Sequence, residues 1–276
     1  DNGTVMNGKL IESPKSFQVA CTVTTQIIAA VASNQYGGQS VDMRHLGKYL
    51  RKSYEKFEKK LTEKYKKAID DWGAQEIVLS EDANNVFAAS QLTREDLNSV
   101  KAKEKAPIGL FSGAVKGNKK ENVTVFGTTN EAFLLPKVSS GRLFEKENEI
   151  IISQNLAEGN YKLGDQLKIG SYDQKLTIVG IFPETYYTVS PVIYTGLDTW
   201  TQLKYGDQPF SSPSKKPIDA IVTKQKATIT KEGASKTLQK LTIPDFIESI
   251  PGYSAQNMTL NAMIYFLFLV VAAVVG

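Results

Sequence analysis

Two textures follow one another along the chain, and the change falls near Ile69. Before it, apolar residues recur at helical spacing. Ser13 followed by Pro14 reads as a helix start, a capping hydroxyl ahead of a proline whose missing N–H does no harm in the first turn. Phe17, Cys21, Ile27, Ile28 and Val31 continue that helix and Gly37-Gly38 ends it. A second start follows at Ser40, with Asp42 in the first turn. Leu46, Leu50, Tyr54, Phe57, Leu61 and Tyr65 then recur every three or four residues. The other faces carry Arg44, Lys48, Arg51, Lys52, Lys56, Lys59, Lys60, Lys64 and Lys66, with Glu55–Lys59 and Glu63–Lys67 at the i,i+4 spacing of helical ion pairs. The pattern predicts one long cationic amphipathic helix with its charged face in water.

After Asp70-Asp71-Trp72-Gly73 the helical period gives way to short β-branched runs separated by turn residues. These predict strands at Glu76–Leu79, Ile108–Ser112, Val123–Thr128, Ile150–Ser153, Gln166–Ile169, Lys175–Phe182, Val192–Thr195 and Ile218–Thr223. Gly170-Ser171-Tyr172-Asp173 reads as a hairpin turn between two of them. Short helices fit Thr93–Lys103, Leu197–Leu203 and Lys231–Leu241, and the Pro-, Ser- and Lys-rich stretch from Gly206 to Pro217 reads as a mobile surface loop. The predicted fold class is α+β, a mixed sheet with short helices, preceded by two helices. From Ala262 to Gly276 no charge interrupts the apolar residues. A spanning helix takes about 20 such residues, and this run reads as the start of a transmembrane helix, truncated at the chain end. The expected layout is a helical segment at 1–67, a core domain at 68–258 and the start of a transmembrane helix at 259–276.

Composition narrows the chemistry. With 276 residues, 41% hydrophobic and 22% charged, the chain is longer than one domain of about 100–200 residues and outside the disordered class. The net charge of +4 is mild and concentrated between Arg44 and Lys67, so no nucleic-acid footprint is expected. One cysteine, Cys21, and one histidine, His45, exclude a disulfide framework and any zinc site built from Cys and His pairs. Phosphate-loop, dinucleotide, nucleophile-elbow and metalloprotease motifs are absent. Glu145, Glu147 and Glu149, with Lys146 interleaved, read as a solvated turn. Tyr186-Tyr187 with Pro191 and Tyr194 makes an aromatic patch, read as core and rim packing in preference to the wall of a hydrophobic ligand path. No catalytic, cofactor-binding or metal residue is singled out, and no cofactor is expected.

One series of pieces carries more. Ser140-Gly141-Arg142-Leu143-Phe144 is followed by Glu149-Ile150-Ile151-Ile152-Ser153, Leu156-Ala157, Gly164-Asp165-Gln166-Leu167 and Thr177-Ile178-Val179-Gly180-Ile181. In this order they resemble the MacB-type periplasmic core domain of FtsX-like ABC-transporter permeases, in particular the HrtB-like haem exporters. Gly141 and Gly164 then sit at turns where φ is positive. The resemblance runs from about Ala68 to the end of the chain. It implies a cell-membrane protein with residues about 70–258 extracytoplasmic. A separate cytoplasmic ABC ATPase, a second permease copy and membrane lipid would be its partners, and its work the efflux of a hydrophobic or toxic compound such as haem, without catalysis. The stretch Asp1 to Lys60 resembles something else, an internal fragment of the anaerobic (glycyl-radical) ribonucleoside-triphosphate reductase, carried by Asn7-Gly8-Lys9, Glu12 to Ser16, Gln26 to Ala29, Val31 to Ser33 and Tyr36-Gly37-Gly38. That family's catalytic cysteine lies upstream of this stretch and Cys21 does not match it, so the piece is expected to be inert and the chain to be a chimera. A membrane-anchored surface binding module is the remaining alternative.

Overall fold

The computed structural model describes residues 3–6, 9–12, 43–116, 120–230, 234, 236–254, 258, 262 and 265. The chain divides into two compact units, 1–61 with 255–276 and 62–254. In chain order the elements are β1 (Gly3–Met6), β2 (Lys9–Glu12), α1 (Met43–Asp71), β3 (Glu76–Ser80), β4 (Leu92–Thr93), β5 (Val100–Lys101), β6 (Lys105–Lys116) and β7 (Lys120–Thr128). Then come β8 (Ser140–Gly141), β9 (Glu149–Ser153), α2 (Gln154–Ala157), β10 (Gln166–Leu167), β11 (Leu176–Phe182), β12 (Tyr186–Tyr187) and β13 (Ser190–Gly196). The series closes with α3 (Leu197–Tyr205), β14 (Pro217–Ile218), β15 (Ala220–Thr223), β16 (Thr228–Ile229), β17 (Leu238–Thr242) and α4 (Ile243–Glu248).

In the first unit β1 and β2 pair antiparallel, Gly3 opposite Glu12. The helix expected from Ser13 to Gly38 lies outside the described residues, as does most of the apolar run from Ala262. Among the described residues no helix is long and apolar enough to cross a membrane.

The second unit is built on a mixed sheet. Among the described residues eleven strands join it, in the order β10-β11-β9-β13-β7-β6-β15-β3-β17, with β8 on β11 and β12 on β13. β9 runs parallel to β11 and β13 parallel to β7, and the other pairs are antiparallel. Both faces of this sheet are covered. β3 and β9 are buried at every position. Ile77 and Leu79 point into a core shared with Trp72, Phe126 and Phe246, while Val78 between them points into the opposite core with Leu92 and Trp200. A third cluster gathers Val125, Ile150, Ile152 and Ile178. Strands buried on both faces read as continuous apolar runs, which is how Glu149-Ile150-Ile151-Ile152-Ser153 reads.

α3 is held against the sheet by a shape constraint. Gly109 of β6 and Gly127 of β7 face each other across the ladder, and the Trp200 indole lies directly on both. A Cβ on either glycine would sit 2.2 Å from a Trp200 atom. Only a bare backbone lets the ring down onto the strands.

Five of the eight predicted strands are present and longer than expected, with β6 reaching Lys116. The strand expected over Gln166–Ile169 stops at Leu167, that over Lys175–Phe182 starts at Leu176, and that over Ile218–Thr223 divides at Asp219 into β14, which pairs with β4, and β15 in the main sheet. Two helix expectations need correction. Thr93 does cap a helical turn, and its side chain and that of Asp96 form a capping box, but the turn is 3₁₀ and stops at Ser99. Val100-Lys101 then leaves the helical path to pair with Thr228–Ile229. Of the helix expected over Lys231–Leu241, residues 231–233 and 235 lie outside the described residues, and its far end is instead a strand at Leu238–Thr242, which extends the sheet beyond β3. Thr242, accepting from the Asp245 N–H at 3.3 Å, and Pro244 start the helix only at Ile243. The Gly206–Pro217 stretch is also less free than expected. Lys215 pairs with Glu95, Lys216 Nζ lies 3.0 Å from Asp198, and Pro217 is opposite Thr93.

Gly127→Ala is predicted to destabilise the 62–254 unit by about 3 kcal/mol, because Trp200 must lift and both cores must adjust. Urea unfolding of the wild type and the variant measures the difference.

Candidate functional site

Three arrangements in the second unit carry charge, strain or exposure beyond ordinary packing. The first is the place where the chain enters and leaves. α1 does not stop at the change of sequence texture. Its last turns are part of the core, with Ala68, Ile69 and the following Trp72 buried. Trp72 Nε1 donates to the Tyr194 hydroxyl at 3.0 Å inside a wall of rings, where Phe126 meets Trp72, Tyr187 and Tyr194 with centroids 5.4–5.5 Å apart. Tyr187 and Tyr194 are therefore core residues, and burial pushes both hydroxyls well above the usual phenol range. At the other end of the unit the chain returns to the same spot: Tyr253 packs edge-on against Tyr65, centroids 6.4 Å apart.

The hairpin between β12 and β13 grips this entry helix. Tyr187 is opposite Ser190, so Thr188 and Val189 form a two-residue turn, both with positive φ, 46° and 70°. Such turns favour Asn-Gly, and β-branched residues there are strained. The turn's amides point at α1: Thr188 N–H donates to the Tyr65 carbonyl at 3.1 Å and Val189 N–H to the Lys64 carbonyl at 2.8 Å. Nearby, Lys64 Nζ stands 5.1 Å from the Tyr186 ring centre, and Thr185 Oγ1 donates to Asp71 Oδ2 at 3.3 Å. Burial and the neighbouring Glu184 push the Tyr186 hydroxyl up to about 12.

The second arrangement gathers the pieces whose order was singled out in the sequence. Gly141, φ 80°, pairs with Gly180, where an added Cβ at Gly141 would meet the Val179 carbonyl at 2.2 Å. Arg142 N–H donates to the Val179 carbonyl, Gly164 N–H to that of Ile178, and Ile178 N–H to that of Asp165. Phe144 is buried in the main core. Glu149 corrects the expectation of a solvated turn. Glu145 and Glu147 are exposed, but Glu149 is 9% exposed. Its carboxylate takes Arg142 in a fork, 2.8 and 2.5 Å, and accepts the amides of Glu145 and Lys146 at 2.9 and 3.1 Å. The Arg142 guanidinium holds Glu149 down to about 2 against the cost of burial, with the two amides adding to it.

The third is Asp219, fully buried, which accepts from Leu110 N–H and from Lys204 Nζ, all at 2.7 Å. Burial outweighs the lysine and raises its pKa to about 6. Lys204 also reaches a polar cleft of about 440 Å³ shared with Asn148, Tyr172, Gln202 and Asp207. Among the described residues no group of three or more His, Cys, Asp or Glu side chains is placed to hold a metal ion. Cys21 and the His45 side chain lie outside the described residues.

A family profile described as the MacB-like periplasmic core domain matches residues 53–241. The chain belongs to this family. The match opens inside α1, so the core domain's profile includes the turns that end in Trp72. A hemin transport system permease protein, HrtB, of Staphylococcus haemolyticus is 25% identical over 209 residues, 75% of this chain and 57% of that protein. An uncharacterised ABC transporter permease of Mycobacterium bovis is 34% identical over 106 residues, 38% of this chain and 29% of that protein. The chain thus spans little more than half the length of these permeases, or less. The extracellular domain of the noncanonic ABC-type transporter YknZ from Gram-positive bacteria is 15% identical with a TM-score of 0.41, covering 61% of this chain and 98% of that one. A second profile, anaerobic ribonucleoside-triphosphate reductase, matches residues 1–104. It extends past Lys60, the limit expected from sequence, through β3, β4 and β5, and β3 lies between β15 and β17 in the core domain's sheet.

Two measurements check these contacts. Replacing Thr188 by Asn together with Val189 by Gly is expected to stabilise the domain by about 2 kcal/mol in urea unfolding, since each L-residue held at positive φ costs about 1–2 kcal/mol. For Glu149, a lowered pKa means stability present above its ordinary value and lost as pH falls towards about 2. Glu149→Gln should cost about 2 kcal/mol at pH 7. Its urea midpoint should also fall less than the wild type's between about pH 5 and pH 2.5.

Proposed function

We propose that residues 62–254 are the extracytoplasmic domain of an ABC-transporter permease, set into a membrane framework and moved by it without chemistry of its own. The observation that carries this reading is the meeting of Tyr65 and Tyr253: the chain enters and leaves at one place, on a helix locked into the core. A domain inserted between two segments of a membrane protein needs that geometry, because both connections lead back to one surface. The family match to a periplasmic core domain supports the same placement.

The energy for transport would come from a separate cytoplasmic ATPase, with a second permease copy completing the assembly. The cargo we propose is haem or another hydrophobic, toxic compound, an idea supported by the hemin transport name of the Staphylococcus haemolyticus relative. The aromatic rings around Trp72 and Phe126 pack against one another, so such a cargo would pass beside the domain and the domain would act by changing position.

The placement is tested with one cysteine on the exposed Ser214. In the Cys21→Ser background, Ser214→Cys should react with a membrane-impermeant maleimide on intact cells expressing the full chain. Labelling only after lysis overturns the reading. Cargo is read separately, as a rise in haem tolerance when the chain is expressed with its ATPase.

A further inference from the structure

Along α1, Lys48, Lys52, Lys56, Lys60 and Lys64 follow one another at intervals of four residues. Like charges at i,i+4 repel, and Glu55 and Glu63, each four residues from Lys59, offset part of that repulsion. Helical geometry turns each step by about 40°, which lays the row as a slanting stripe, about 12 Å long between Lys52 and Lys60. Lys52, Lys56, Lys59 and Lys60 are all exposed. The lysines of the following turns are engaged: Lys66 Nζ is 2.6 Å from Asp70, Lys67 Nζ 2.9 Å from Asp71, and Lys64 stands over Tyr186. Lys64, Lys66 and Lys67 thus make a ring contact and ion pairs, and Lys52, Lys56, Lys59 and Lys60 are exposed.

We propose that the stripe Lys52, Lys56, Lys59 and Lys60 docks on the anionic headgroups of a bilayer surface. The proposal rests on the reading above that a membrane adjoins this domain. The chemistry of the row selects the occupant. Its exposed members, Lys52, Lys56, Lys59 and Lys60, are ammonium groups on flexible stems, point charges that suit many loosely fixed anions. A negatively charged leaflet attracts such a row, and the attraction falls off within a Debye length.

The test is flotation of the full chain with phosphatidylcholine vesicles and with vesicles containing about 30% phosphatidylglycerol, in about 0.1 M salt. The apolar run from Ala262 contributes to both, so the readout is the difference between them. We expect about tenfold tighter binding to the anionic vesicles. That preference should be lost in K52Q/K56Q/K59Q/K60Q and in about 0.5 M salt, and kept when the same four positions are arginine. Equal binding of the wild type to both vesicles, or a preference surviving in the glutamine variant, overturns the proposal. So does capture by polyglutamate without any preference for phosphatidylglycerol, which assigns the stripe to an acidic protein. A labelled Ser214→Cys with no lipid preference sinks this proposal alone and leaves the permease placement standing.

Discussion

Burial of Trp72 at the end of α1 is the contact on which the second unit depends. The indole N–H reaches the Tyr194 hydroxyl on β13, and its ring makes edge-to-face contacts with Phe126 on β7 and with Phe87. One side chain thus ties the incoming helix to two central strands and to the loop that follows β3. A buried indole without a partner for its N–H costs free energy, and Tyr194 removes that cost within an otherwise apolar cluster. The helix cannot shift along its axis without breaking this bond and both backbone contacts from Thr188 and Val189.

The strain in the Thr188-Val189 turn follows from the same constraint. An Asn-Gly turn would sit more easily there, yet the turn's amides have to reach the Lys64 and Tyr65 carbonyls. Positive φ at two β-branched residues is tolerated because the surrounding contacts over-determine it, a pattern common where one element must hold another. On the proposed reading, a fixed hold between entry helix and sheet would carry a displacement at Tyr65 to β13. Asp219 and Glu149 show two outcomes of carboxylate burial in one domain. Glu149 has a bidentate arginine and two amides and is lowered to about 2, whereas the deeper Asp219 has one lysine and one amide and is raised to about 6.

Much of the chemistry of Glu149 was out of reach of local reasoning. In sequence it is one of three glutamates around a lysine. What distinguishes it is that β9 begins at its position and that Arg142, seven residues earlier, is turned towards it by the Gly141–Gly180 pairing. The alternation of charged residues carries no record of that turn. The tyrosine patch was legible to a greater degree, since the residues around Pro191 are apolar enough to be core, and they are. The choice between helix and strand at Leu238–Thr242 depended on a vacant edge beside β3, which no local pattern contains.

The sequence by itself determined most of the longer strands of the sheet, β17 excepted, because β-branched runs bounded by glycine and polar turns have few other low-energy states. It also determined the amphipathic, cationic character of α1 and, through the order of five short pieces, the family. Tertiary structure alone decided where α1 stops being a surface helix and becomes core, which lysines find partners, and which glutamate is buried. Periodicity reports which face of an element is apolar, and the partner meeting that face comes from strands a hundred residues away. Trp72 and Tyr194 are 122 positions apart, and their contact exists only once the sheet between them has closed.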